Sequence, residues 1–93
     1  METRILAHLE FANGKEIFAT ALSDAIDMDL VYDAIDSINR AGKLVFELDI
    51  ELEAISEAYL GDIYYRGLKN NTKARPHLYR AINLVHSLKK NVT

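Results

Sequence analysis

Apolar residues recur at steps of three and four along most of the chain, and no alternating run of convincing strand length interrupts them. That is the period of helices that bury one face. It is clearest over 30–48, where Val31, Ala34, Ile38, Ala41, Val45 and Leu48 form one continuous stripe. Residues that end helices are few: Gly14, Gly42, Gly61, Gly67 and Pro76. The pattern predicts about five helices, over 3–12, 15–27, 30–48, 50–67 and 73–90. Their apolar faces carry Ile5 and Leu9, then Phe18 and Leu22, then the long stripe, and finally Ala74, Leu78, Ala81, Val85 and Leu88.

Local chemistry places the ends. Asn13-Gly14 offers the left-handed conformation that ends a helix cheaply, which separates the first helix from the second. Asp29, Asp49 and Thr72 are the expected caps of the third, fourth and fifth helices, because a side-chain oxygen there can accept from a free first-turn amide. Glu51 and Glu53 in a first turn, and Lys89 and Lys90 in a last turn, carry the signs that a helix dipole favours. Pro76 disfavours helix at Arg75, so the fifth helix either begins at Pro76 or bends in its first turn.

Composition narrows the classes. The 93 residues fit one domain, with an apolar fraction of 49% that suffices for a core. Without cysteine there is no disulfide, thiolate metal site or cysteine nucleophile. No apolar run approaches the ~20 residues of a membrane span, and Met1-Glu2-Thr3-Arg4 does not open a signal peptide, so the expected location is cytoplasmic. The net charge is −3, but it is unevenly spread. Between Ser23 and Glu57 there are ten acidic residues against two basic ones, and from Ala58 onward one acidic residue against seven basic. Such halves either attract one another within the fold or leave a basic surface for an acidic partner.

The organisation is repetitive. A shift of forty residues carries Ala34 onto Ala74, Ile38 onto Leu78, Arg40-Ala41 onto Arg80-Ala81, and Leu44-Val45 onto Leu84-Val85. The fourth helix holds Leu60-Gly61 followed three residues later by Tyr64, and the fifth holds Ala74, Leu78 and Ala81. In these residues the chain resembles the tetratricopeptide repeat family, in an extended variety similar to that of kinesin light chain and related adaptors. The resemblance is good over about 50–88, fair over 30–48, and absent before Asn13. It implies an all-α fold of antiparallel hairpins stacked as a short, right-handed, tetratricopeptide-like α-solenoid. Residues 1–13 would be an N-terminal helix, 14–48 a degenerate first repeat and 49–90 a second repeat. Because solenoids need about three repeats to be stable, the chain reads as one end of a longer array or as one half of a dimer.

The same resemblance implies a protein-binding surface on the fourth helix, at Ile55, Ala58, Tyr59, Asp62, Tyr65 and Arg66, continued by Lys69 past its end. The amphipathic tyrosines are the kind of anchor that interfaces favour. Tyr59 and Tyr65 packed on a flanking helix, and Asp62 paired with Arg66 one turn away, is the plainer alternative. Some members of the family grip a chaperone's terminal carboxylate with lysine, asparagine and arginine. The matching places here hold Ala58, Tyr59 and Asp62, and an aspartate repels a carboxylate.

Other chemistry has little to stand on. His8, His77 and His86 share no three- or four-residue spacing, and there is no HExxH motif. Asp24, Asp27, Asp33 and Asp36 lack the glycine of a calcium loop. There is no glycine-rich phosphate loop and no GxSxG. The expectation is a non-catalytic module without cofactor or metal that binds a peptide or helical segment of another protein. A self-associating, dimeric helical bundle is the reading from another class. Nucleic-acid association through Lys69, Lys73, Arg75, Arg80, Lys89 and Lys90 comes third.

Overall fold

In the computed structural model, residues 2–23 and 25–92 are described, with the side chains of 91 and 92 left aside. Asp24, one of the aspartates noted above, lies outside the described residues. Among the described residues the fold consists of four α-helices: α1 (Thr3–Ala21), α2 (Met28–Leu44), α3 (Ile50–Asp62) and α4 (Asn71–Val92). A single π-helical turn, Ile63–Gly67, extends α3. No strand occurs among the described residues.

The helices are four, not five, because α1 runs straight through Asn13-Gly14. Gly14 is there for proximity. A Cβ built on it would lie 2.5 Å from Ile38 Cδ1 and 3.2 Å from Ser37 Cβ, so only glycine lets α2 cross so closely. Burial against α2 outweighs the ~1 kcal/mol that an interior glycine costs a helix.

The ends also shift. Asp27, not Asp29, caps α2 by accepting from the Leu30 N–H at 3.3 Å. That helix stops at Leu44, so Phe46 and Leu48 fall in an exposed turn rather than in the buried stripe. Asp49 caps α3 as expected, accepting from the Leu52 N–H at 2.9 Å. Asn70, not Thr72, caps α4 through the Lys73 N–H at 3.0 Å. Pro76 sits inside α4. The carbonyl its missing N–H would have engaged belongs to Thr72, and both residues are exposed, so water can serve that carbonyl.

Two antiparallel hairpins result, α1 with α2 and α3 with α4. α2 packs antiparallel on α3, with Gly42 beside Ser56 and Val31 beside Gly67. α1 and α3 run parallel, joined by Phe11 and Phe18 on Tyr59 and by Ala7 near Leu52. The molecule measures 45 × 33 × 16 Å, with α2 and α3 forming the main contact between the hairpins. Its main core holds Phe18, Ala21, Val31, Ala34, Ile35, Ile38, Leu60 and Ile63, and a second cluster joins Ala7, Val45 and Leu52. The π turn sets Gly67 against Phe18 and Val31, where a Cβ would come within 3.0 and 3.1 Å.

Candidate functional site

The two hairpins are built on the same contacts. Gly61 repeats the role of Gly14: a Cβ on it would lie 2.5 Å from Leu78 Cδ2, and Leu78 is the counterpart of Ile38. One turn before each glycine stands a glutamate that reaches the facing helix. Glu10 accepts from Ser37 Oγ at 3.1 Å and from Arg40 Nε at 3.0 Å. Glu57 lies 2.8 Å from His77 Nδ1 and 3.2 Å from Arg80 Nη1. Forty residues carry Ser37 onto His77 and Arg40 onto Arg80, so the clamp recurs position by position.

This equivalence decides how the cleft beside the second clamp is read. That cleft, about 370 Å³, lies between α2 and α4 over α3 and is lined by Lys43, Phe46, Glu53, Glu57, His77 and Arg80. The Tyr64 ring stacks on His77 at 5.4 Å and 5°, and Glu53 accepts from the Glu47 N–H at 3.3 Å. Glu57, His77 and Arg80 hold one another, as Glu10, Ser37 and Arg40 do in the other hairpin. The group clamps the α3–α4 hairpin as its counterpart clamps α1 and α2. Among the described residues no three His, Asp or Glu side chains converge as metal ligands, and no helix is long and apolar enough to cross a membrane.

The residues proposed from sequence for binding fall into two sets. Tyr59 is half-buried, its ring edge-on to Phe11 at 5.6 Å and to Phe18 at 6.2 Å. Burial, with the nearby Asp62 carboxylate, pushes its hydroxyl above the usual tyrosine range, against the pull of Arg66. Tyr59 therefore ties α3 to α1. Asp62 accepts two hydrogen bonds from Arg66, at 2.8 and 2.6 Å, and these raise the guanidinium's affinity for its proton. Arg66 also lies over the Phe18 ring at 5.3 Å. Ile55, Tyr65 and Lys69 are exposed, and Lys69, two residues past the π turn, has φ at 54°.

Ile55 belongs to a feature that sequence reasoning missed. With Ala54 and Ala58 on α3 and Ala81, Ile82, Val85, His86 and Lys89 on α4, it lines an apolar groove of about 300 Å³. Ile82, Val85 and Leu78 make a stripe along α4, and they are 50%, 41% and 40% exposed. The equivalent positions of α2 include Ile38 and Val45, both at 0%, because α3 covers that face. Tyr65 at 58% occupies the place of Phe18 at 1%. The groove between α3 and α4 thus matches the groove between α1 and α2 into which α3 itself packs. No protein-family model, no curated protein and no solved structure matches the chain.

Proposed function

We propose that this chain is a non-catalytic protein-interaction module, a short tetratricopeptide-like α-solenoid whose α3–α4 groove receives a helical segment of a partner protein. What carries the reading is the exposed stripe Leu78, Ile82 and Val85 on α4, whose counterpart on α2 is buried under another helix. Apolar helix faces of this kind dock amphipathic helices through anchors spaced three and four apart. Ile55 borders the same groove from α3, while Tyr59, Asp62 and Arg66 hold α3 to itself and to α1. Exposed Arg75 and Lys89, each two turns from Ile82 on the same face of α4, give the groove a positive rim suited to an acidic helix.

The test is capture of protein partners on immobilised chain, comparing wild type with Ile82→Glu and with Tyr59→Phe. Ile82 is exposed, so its replacement leaves the fold intact and removes binding. Tyr59→Phe keeps the ring and leaves binding unchanged. A captured set that is the same with Ile82→Glu as with wild type overturns the assignment of the groove.

A further inference from the structure

The equivalence of the hairpins also says what shape fits the groove. α3 docks on α2 through Leu52, which clusters with Val45, and Ser56, whose Cβ lies beside Gly42. The shift that carries Gly14 onto Gly61 carries Ile5 onto Leu52 and Leu9 onto Ser56. On α1 both Ile5 and Leu9 are exposed, so the face of α1 that corresponds to the docking face of α3 is apolar and open. Every chain carries both halves of such a junction: a groove on α3–α4 and a helix face on α1.

We propose that α1 of a second copy seats in the α3–α4 groove as α3 seats on α1 and α2, so that chains stack head to tail. The proposal rests on reading that groove as a helix-docking site. Placed in the internal register, Leu9 of the incoming copy falls on Ile82, the counterpart of Gly42, and Ile5 lies beside Val85. Charge agrees with this register. Antiparallel helices that meet at Ile82 and Leu9 bring Arg75 opposite Glu16 two turns away on one side, and Lys89 opposite Glu2 two turns away on the other. Both pairs are opposite in sign, all four residues are exposed, and they flank the apolar contact as rim charges that fix register. Ala12 of the incoming helix takes the place that Tyr59 holds in α3, and its small side chain leaves room beside Tyr65.

At its centre the junction between copies also differs from the internal one in spacing. Gly42 against Ser56 lets α2 and α3 approach closely, whereas Ile82 against Leu9 holds the helices farther apart. The contact is therefore separable, and α3 and α4 keep their own packing when it opens. Because the two surfaces differ, the contact is heterologous, and it propagates into a ring or an open array rather than stopping at a two-fold dimer.

The experiment is light scattering of the full chain over a hundredfold concentration range, with circular dichroism to confirm helix content. Wild type is expected to rise in mass beyond a dimer. Ile82→Glu blocks the groove and Leu9→Glu blocks the incoming face, each weakening association by about tenfold or more by burying an unpaired charge. Each variant alone is then monomeric, but an equimolar mixture forms a one-to-one dimer through the intact groove of one and the intact α1 of the other. Arg75→Glu weakens wild-type assembly, and adding Glu16→Arg in the same chain restores it. A wild type that stays monomeric throughout overturns the proposal while leaving the groove open to another protein. Leu9→Glu that still dimerises while Ile82→Glu does not, with no gain on mixing, also overturns it and keeps the groove as a docking site. Association indifferent to both substitutions rejects the stacking and the groove together.

Discussion

α2 and α4 carry nearly the same apolar stripe and end in different surroundings. α2 lies between two helices, and Val31, Ala34, Ile38, Ala41 and Val45 are sealed. α4 has a neighbour on one side only, so Ala74 and Ala81 are buried against α3 while Leu78, Ile82 and Val85 remain open. The same sequence pattern is core in one place and surface in the other. What differs is whether a helix packs on the second side, which the stripe itself does not determine.

The largest expected contrast comes from truncating equivalent residues. Ile38→Ala should cost about 2–5 kcal/mol, the range for a sealed aliphatic side chain. Leu78→Ala should cost less than half of that in dilute solution, since its side chain is already partly solvated. Urea unfolding of both variants checks this, and equal losses would break the contrast.

The glycines sharpen it. Gly14→Leu and Gly61→Leu each overpack a helix crossing and should cost ~1–3 kcal/mol, with Gly14→Leu the worse. Ile38 is enclosed and cannot yield to the new side chain, whereas Leu78 can swing toward solvent. Alanine at the same positions should keep the order, with the cost reduced by the ~1 kcal/mol that alanine gains over glycine in a helix. Thermal melts that reverse the order would show that Leu78 is held as firmly as Ile38.

The clamps should differ more modestly. Glu57 is more enclosed than Glu10 and bridges His77 and Arg80, so Glu57→Gln should cost about 1 kcal/mol and Glu10→Gln somewhat less. Chemical denaturation of the two variants reads the difference.

The smallest effect is alkaline. The Tyr59 hydroxyl titrates higher in the folded chain than in the unfolded one, chiefly through burial. The unfolded chain therefore ionises first, so this contribution is intact below about pH 10 and is lost as pH rises beyond it. Tyr59→Phe should flatten that decline when stability is followed from pH 9 to 11.

Much of the helical architecture was legible, because helices that bury one face must repeat their apolar positions. The match of Ala34, Ile38 and Ala41 to Ala74, Leu78 and Ala81 identified the second helix of each hairpin. The first helix of the first hairpin was misread at Asn13-Gly14, since local chemistry cannot distinguish a glycine that ends a helix from one that admits Ile38. A signal was present: Glu10, Gly14 and Ile17 repeat the spacing of Glu57, Gly61 and Tyr64. Ile55 and Tyr65 are exposed. Tyr59 is half-buried because Phe11 and Phe18 reach it from α1, where Phe11 falls in the stretch with no resemblance to guide it. The groove itself was hidden for the reason that separates α2 from α4: a stripe does not reveal whether anything covers it.

The central claim is that α4 offers the surface α2 uses internally, and that α1 is the helix it fits. Joining two copies in tandem through a short Gly/Ser linker tests it most directly. In the stacked register the end of α4 in the first copy lies near the start of α1 in the second, so docking becomes intramolecular. The account predicts that the tandem chain melts in one transition well above the single chain at equal, dilute concentration, and that Ile82→Glu in the first copy abolishes the gain. A tandem chain that melts at the temperature of the single chain, with or without that substitution, would contradict it.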